Sequence, residues 1–463
     1  MNAVHPLFWR QGLFLQPQHF QLADAHAAFR LAQATNLLQP WFWGVRELEF
    51  RDAALTSGRF EVTRLQALFP DGSLVLLPEN ALLAPRAFDP AAVTPERPLT
   101  VWLALKERRT GPNVTVVDAL ENVGDLPTRH AVAADPEEVE DLHAGGPAAQ
   151  VMRLRFVLRL FLDGEEAEMA GSMALPIARL ERTGDKVTAS AAFIPPALTI
   201  GAHPALWKAV CDVRDLVAAR AKQLEDYKPH GQTQGRDFDP GYVIFLQALM
   251  CLNRQLPLLT HLTETRDAHP WDMYGLLRQF VGELSTFTEE IGALGERNDG
   301  ARLLPAYDHL DLSACFLSAR TLIQQMVDGI GASIELMVRL EPSGNRFSAE
   351  LPQRVFEGRN RYWLVIRAED ADLETVAAEV LRLVKLCATP VLTTLLVKAV
   401  SGLPLTRHPL PPAGLPKRAG TLYFQIEHES PLWQDVVRAR GISLFWDSPP
   451  PGMTAHVAVV RGQ

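Results

Sequence analysis

Two periods run along this chain, and the change from one to the other divides it. Up to residue 196 apolar positions recur every second residue, in short runs broken by Pro and Gly. Residues 151–162 are the clearest case: Met152, Leu154, Phe156, Leu158 and Leu160 alternate with Arg153, Arg155 and Arg159, which predicts a strand. Residues 100–105 and 114–117 predict further strands, and Pro70-Asp71-Gly72 and Asp163-Gly164 are turn signals. Short strands punctuated in this way predict an antiparallel β-sandwich over 1–196. One stretch breaks the rule. Between Gln18 and Leu38, the residues Phe20, Ala23, Ala27, Leu31, Ala34 and Leu38 recur at helical spacing, an amphipathic helix.

After Phe193-Ile194-Pro195-Pro196 the period becomes helical. Residues 204–226 put Leu206, Val210, Val213, Val217 and Leu224 on one face. The next helix starts at Asp239-Pro240, a cap residue followed by a first-turn proline, and is apolar nearly all round through Leu259. That pattern predicts burial, with a kink or an end at Pro257. Residues 270–291 carry the stripe Leu277, Phe280, Leu284, Phe287 and Ile291, and residues 308–330 carry Leu312, Phe316, Ile323, Val327 and Ile330. Helices of this length joined by loops predict a four-helix bundle over 197–331, and their heptad-like stripes also suit contacts between chains. Residues 332–463 mix the two periods. Ile334, Leu336, Val338 and Leu340 alternate, residues 362–367 and 457–460 are strands, residues 373–386 are helical, and Leu422, Phe424 and Ile426 mark another strand. Ser430-Pro431 opens a short helix that Gly441 ends. The fold class is therefore multidomain α+β: a β-sandwich (1–196), a helical bundle (197–331) and an α+β head (332–463).

Composition narrows the function. The 463 residues carry a formal charge of −9, distributed as −6 over 1–196, −5 over 197–331 and +2 over 332–463. An acidic chain does not offer the clustered Lys and Arg that a nucleic-acid surface needs. The uneven balance suits different partners at the two ends. Cys211, Cys251, Cys315 and Cys387 lie far apart in apolar segments and read as buried free thiols of a reducing compartment. The longest apolar run, residues 243–252, is too short to span a membrane, and no signal peptide opens the chain. The expected place is the cytoplasm.

Enzymatic chemistry has one candidate. Tyr307-Asp308-His309-Leu310-Asp311 gathers two carboxylates and an imidazole, a set that a metal-dependent hydrolase could use. The same acids have a simpler reading, with Asp308 as helix cap and Asp311 in the first turn. His19 and His26 share a helical face without a third ligand, and read as core or interface. The chain holds no nucleophile elbow, P-loop or dinucleotide fingerprint. No catalytic residue, cofactor or metal ligand is assigned. The acidic run at residues 135–141 reads as a solvated or docking loop.

The opening of the chain is the most distinctive segment. Residues 5–30 pack Phe8, Trp9, Leu13, Phe14, Leu15 and Phe20 around Gly12, Pro17, Gln18, His19 and Gln21. These rings can fill an N-terminal core or anchor an interface, and the same choice applies to Trp41, Phe42 and Trp43. The segment resembles the start of the TssK family (ImpJ, VasE) of type VI secretion baseplate subunits, which open on an aromatic run W-x-E-G-x-x-L-x-P-Q-H-F-Q. Here Trp9, Gly12, Leu15, Pro17, Gln18, His19, Phe20 and Gln21 fit it, while Gln11 stands in place of the Glu. Further matches follow in order: Phe69-Pro70-Asp71-Gly72-Ser73, Phe193-Ile194-Pro195-Pro196, His269-Pro270 with Tyr274 and Gly282-Glu283-Leu284, Tyr307-Asp308-His309, and Lys417-Arg418-Ala419-Gly420 before Tyr423-Phe424 and Trp433. The resemblance implies a non-enzymatic adaptor. In that picture a β shoulder like that of phage receptor-binding proteins docks to the TssF–TssG wedge, a helical neck forms a homotrimer, and a head reaches the TssJ–TssL–TssM membrane complex at the inner face of the inner membrane. A phage-tail receptor binder is the other reading of such a shoulder. Candidate wedge contacts are Phe8, Trp9, Phe14, Pro17, Gln18, His19 and Phe20. Candidate head contacts are Lys417, Arg418, Tyr423 and Trp433, although Tyr423 and Trp433 lie on an expected strand and helix and suit a core.

Overall fold

In the computed structural model the described residues are 3–109, 111–120, 124, 126–141, 143, 145–225, 240–330, 337–356, 360–368, 372–409 and 420–461. They form a multidomain α+β chain with two compact units: Met1–Asp215 with Pro257–Gln324, and Leu216–Leu256 with Gln325–Gln463. The unit boundaries fall within the helices Pro204–Leu224, Pro240–Glu264 and Leu312–Ile330.

The first unit is built on a seven-stranded sheet. Its order is Lys186–Ala189, Ser172–Thr183, Leu99–Lys106, Arg155–Leu162, His130–Ala133 and Val114–Val117, with Ala81–Leu83 also beside Arg155–Leu162. Leu103 lies opposite both Leu160 and Leu175, and all three are buried, so register places a leucine row across three strands. Pro176 sits at a bulge, where a strand tolerates a residue without an N–H. A second sheet, Gly44–Phe50, Val62–Leu68 and Leu74–Leu77, contributes Val45, Val62, Leu65, Ala67, Val75 and Leu77 to the same core.

Three expectations change here. The arrangement is not wholly antiparallel: Ala81–Leu83 runs parallel to Arg155–Leu162, and Val114–Val117 parallel to His130–Ala133. The latter pair is joined by residues 118–129, long enough for a parallel return. The predicted strand at 151–162 begins only at Arg155, and Met152 and Leu154 are exposed. From Val157 onward, apart from Arg159, both faces are covered, so simple alternation fails. The acidic run is not a plain loop either, since Glu137–Val139 pairs with Ala149–Val151 in an exposed ribbon and Glu137 meets Arg153 at 2.8 Å.

The helices keep their stripes and shift at their ends. Leu206, Val210, Val213, Val217 and Leu224 are all buried, as are Leu312, Phe316, Ile323, Val327 and Ile330. Pro257 does not end its helix, which continues to Glu264. Nor is that helix fully buried, for Ile244, Met250 and Leu258 are exposed. Its expected cap, Asp239, lies outside the described residues. The third helix stops at Leu284 rather than Ile291: a single 3-10 turn, Ser285–Phe287, follows, and Thr288 then turns extended (φ −140°, ψ 144°). On the second helix Gln255 is 1% exposed, and neither polar atom of its amide has a partner. Gln255→Leu is therefore expected to stabilise the protein by about 1–2 kcal/mol, read as a higher melting temperature. A lower one would mean that the amide is satisfied by bound water.

The second unit carries an eight-stranded antiparallel sheet in the order Lys385–Ala388, Gly441–Phe445, Arg346–Glu350, Met337–Ser343, Thr454–Arg461, Asn360–Arg367, Thr421–Ile426 and Leu405–His408. Leu364, Ile366, Phe424 and Val457 face a core shared with Val376, Val380, Trp433 and Val436 of the helices Leu373–Leu383 and Pro431–Ala439. Trp363, Val365, Tyr423 and Ala458 form a small cluster of their own. The expected helix over 373–386 ends at Leu383. The next residues, Lys385–Ala388, pair with Gly441–Phe445, and pairing overrides the helical spacing. Arg440, not Gly441, takes the left-handed conformation after the last helix (φ 48°), and Gly441 opens the next strand. Ile334 and Leu336 lie outside the described residues.

Candidate docking surface and the histidine joint behind it

The opening aromatics are outside the core. Phe8 and Phe14 are each 81% exposed, Trp9 52% and Phe20 54%. Pro17 and Gln18 are exposed and His19 is half-buried. The helix starts at Pro17, where a missing N–H costs nothing, and the Gln16 N–H donates to His19 Nδ1 at 3.1 Å. Trp9 lies beside the His19 ring, with centroids 6.4 Å apart. His26 reaches the Ala3 carbonyl through Nδ1 at 2.9 Å.

The helix Pro17–Leu38 does not bury its predicted stripe. Leu31 and Leu38 are exposed with Phe20, whereas Ala25 and Ala32 are buried. The sequence carries two apolar faces, and the one made of small residues packs inward because only it allows close approach. A Cβ on Gly72 (φ +83°) would stand 2.9 Å from the Ala32 Cβ. The turn there is braced from behind: Asp71 Oδ1 accepts from Ser73 N at 3.0 Å, and Asp71 Oδ2 accepts from Arg129 Nη2 at 2.8 Å. Arg129 is buried and also donates to Ser73 Oγ and Lys106 O. Burial pulls its pKa below the ordinary value, and Asp71 opposes that.

At the other end of the helix the chain enters a cluster of rings. Trp41 stacks on His309 (6.0 Å, 17°), Trp43 meets the same ring edge-on (4.5 Å), and His269 stacks on His309 (5.9 Å, 7°). Tyr307 packs against Trp271 and Tyr274. His309 Nε2 lies 2.8 Å from Trp43 O and its Nδ1 lies 2.7 Å from the Tyr307 hydroxyl. His269 Nε2 lies 3.1 Å from Trp41 O. Burial pushes the His309 pKa down to about 4 and lowers that of His269. Burial also raises the pKa values of Tyr274 and Tyr307. Beside this cluster, Val45 N donates to Pro196 O at 2.8 Å and Ile194 N to Ser313 Oγ at 2.7 Å. Segments scattered over the sequence therefore meet at one joint. Sequence reasoning listed them separately and missed the meeting, since 228 and 266 residues separate the bonded pairs.

The hydrolase candidate is not assembled. Asp311, not Asp308, caps the helix Leu312–Ile330, accepting from Ala314 N at 3.0 Å, and Asp308 accepts from Leu310 N at 2.9 Å in a turn before it. The helix begins one turn later than its sequence suggested. His309 points inward to Trp43 and Tyr307, away from both carboxylates' bonds. No group of three His, Cys, Asp or Glu side chains among the described residues could hold a metal ion. No helix among them is long and apolar enough to cross a membrane. In the second unit Tyr423 and Trp433 are 4% and 3% exposed, filling core rather than surface. Lys417 and Arg418 lie outside the described residues.

A family model for bacterial type VI secretion, described by the names EvfL, ImpJ and VasE, matches residues 19–460. TssK1, a type VI secretion baseplate component of Pseudomonas aeruginosa, is 24% identical, with all of both chains covered. A crystal structure of TssK is similar at TM-score 0.60 and 24% identity, over 99% of this chain and 100% of that one. A chain of the type VI secretion baseplate complex gives 0.62 at 24% identity, over the whole of both. A chain of a TssK–TssF–TssG baseplate subcomplex gives 0.58 at 25% identity, over 70% of this chain and 99% of that one. The likenesses at 24% speak for the fold, the family match for descent. The protein thus belongs to the bacterial type VI secretion family of EvfL, ImpJ and VasE.

Proposed function

We propose that this protein is a non-enzymatic structural subunit of a type VI secretion baseplate, binding the wedge proteins TssF and TssG through its exposed opening. The end-to-end similarity to the baseplate component TssK1 carries this reading. The solved TssK–TssF–TssG subcomplex adds the wedge as the partner of a similar chain. The contact residues in this reading are Phe8, Trp9, Phe14, Pro17, Gln18, His19 and Phe20, all exposed but the half-buried His19, and their rings are suited to anchoring an interface.

The remaining parts take their roles from the same picture. Residues 1–196 act as a sandwich-like shoulder, 197–331 as a four-helix neck that holds a homotrimer, and 332–463 as a head for TssL, TssM and TssJ at the inner face of the inner membrane. Exposed Ile244, Met250 and Leu258 on one neck helix favour contact with further copies. Three copies joined to one assembly would strengthen modest single contacts by raising effective concentration.

The test is co-purification. The tagged full chain should retain TssF and TssG, and light scattering should give about three times the 51.3 kDa chain mass. A stable monomer at micromolar concentration ends the trimer reading, and a chain that elutes without the wedge proteins ends the docking reading.

A further inference from the structure

We infer that His269 and His309 are positioning residues: they clamp the backbone at residues 39–43 and so set the direction in which the opening helix leaves its β core. This rests on the docking role proposed above for the opening segment.

Hydrogen-bond chemistry fixes the state of both rings. The Trp41 and Trp43 carbonyls can only accept, so each histidine carries its proton on Nε2 and donates it, at 3.1 Å and 2.8 Å. Each Nδ1 is then an acceptor. His309 Nδ1 receives the Tyr307 hydroxyl at 2.7 Å. His269 Nδ1 receives the Trp271 N–H at 3.2 Å and the Gln39 side-chain amide at 3.0 Å. Gln39 is the residue that ends the opening helix. The two histidines therefore hold three positions in the segment that turns the helix into the first strand.

That turn needs holding. Trp41 has φ +59°, a left-handed conformation that bulky residues avoid, and Trp43 N folds back onto Trp41 O at 2.7 Å. Beyond it the chain is locked. Val45 N donates to Pro196 O at 2.8 Å and Leu198 N to Val45 O at 2.9 Å, and Gly44 packs so close that a Cβ there would stand 2.7 Å from the Pro196 carbonyl oxygen. Before it the helix is held thinly, with only Ala25 and Ala32 buried along its 22 residues. At about 1.5 Å per residue that helix is a lever of roughly 33 Å, and a swing of about 10° at residues 39–43 displaces its far end by roughly 6 Å. Phe20 sits at that far end, with Trp9 beside His19 there. An interface of several anchors tolerates far less error than this.

The experiment uses the full-length protein with His309→Phe, His309→Gln, His269→Phe and Gln39→Ala. Spin labels at Gln21 and at Glu181 report the helix direction as a distance distribution, and immobilised TssF–TssG reports binding. His309→Phe keeps the ring and loses the clamp. It should broaden or shift the distribution and lower wedge affinity tenfold or more, while circular dichroism keeps its β signal. His309→Gln places an amide N–H near the Trp43 carbonyl and should restore both, a rescue that ring packing alone does not explain. Should His309→Phe fail to fold, Gln39→Ala removes one clamp bond from a half-buried cap residue and should still broaden the distribution. An unchanged distribution in folded His309→Phe and Gln39→Ala overturns the inference. Wild-type protein that ignores the wedge would overturn only the docking reading, since the label distances judge the clamp without it.

Discussion

Replacing Phe8, Trp9 and Phe14 together by Ala should leave a folded protein that no longer holds the wedge. The first half follows from exposure. Phe8 and Phe14 expose 81% of their surface, so their truncation forfeits little burial, while Trp9, 52% exposed, also loses its contact with His19. The two phenylalanine changes should alter stability by about 0.5 kcal/mol or less each and Trp9→Ala by about 1–2 kcal/mol, too little to unfold the β core. The second half follows from the proposed docking. An aromatic anchor is worth about 1–3 kcal/mol, and three of them, though not additive, should cost a hundredfold or more in affinity. Circular dichroism and a melt check the fold, and a titration against TssF–TssG checks the binding. A folded mutant with full affinity removes the opening segment from the interface. The family model matches from residue 19 onward, so Phe8 and Phe14 rest on exposure alone, and Trp9 on exposure and the opening motif.

What the sequence could reveal depended on how far apart the deciding residues lie. Helical stripes are local. Leu206, Val210 and Val213, or Leu312, Phe316 and Ile323, needed only their own spacing, and the structure buries them all. Helix ends depend on single bonds, so the ends moved. Asp311 outcompeted Asp308 as a cap, and the third helix gave way to a 3-10 turn at Ser285–Phe287 although its apolar spacing ran on to Ile291. The opening helix shows a subtler failure. Phe20, Leu31 and Leu38 form the larger apolar stripe, and size alone points that stripe inward. Close packing against the glycine turn at Gly72 instead admitted the alanine face, a choice set by a neighbour some forty residues away. The histidine joint was the least legible. His269-Pro270 and Tyr307-Asp308-His309 were visible as resemblances, but His309 on its own suggested a metal-site imidazole, Trp41 and Trp43 suggested only core or interface rings, and only the fold brings His269 and His309 to the carbonyls of Trp41 and Trp43.

Two buried histidines, His309 of that joint and His130 of the strand His130–Ala133, should make the protein sensitive to mild acid. The His309 pKa is pushed down to about 4, first by burial, with the neighbouring His269 adding to it. His130 is likewise lowered to about 4, by burial and then by the charges of Arg129 and Arg108. An unfolded chain holds both near 6.5. Between pH 6.5 and 4 the unfolded state therefore binds protons that the folded state refuses, and stability falls as pH falls through that window. Above pH 6.5 both states are neutral and the full stability is present. By pH 5 each ring should have cost about 2 kcal/mol, while free carboxylates, which titrate near pH 4, have scarcely begun to contribute. Urea melts at pH 7.5 and pH 5 should therefore differ by at least about 4 kcal/mol in unfolding free energy, since burial lowers His203 and His269 as well and they add to these two rings. His309→Gln carries no titrating ring and should remove about 2 kcal/mol of that difference. The same pH dependence in wild type and His309→Gln would show that protonation of this ring does not oppose the fold, and that the loss belongs to other groups.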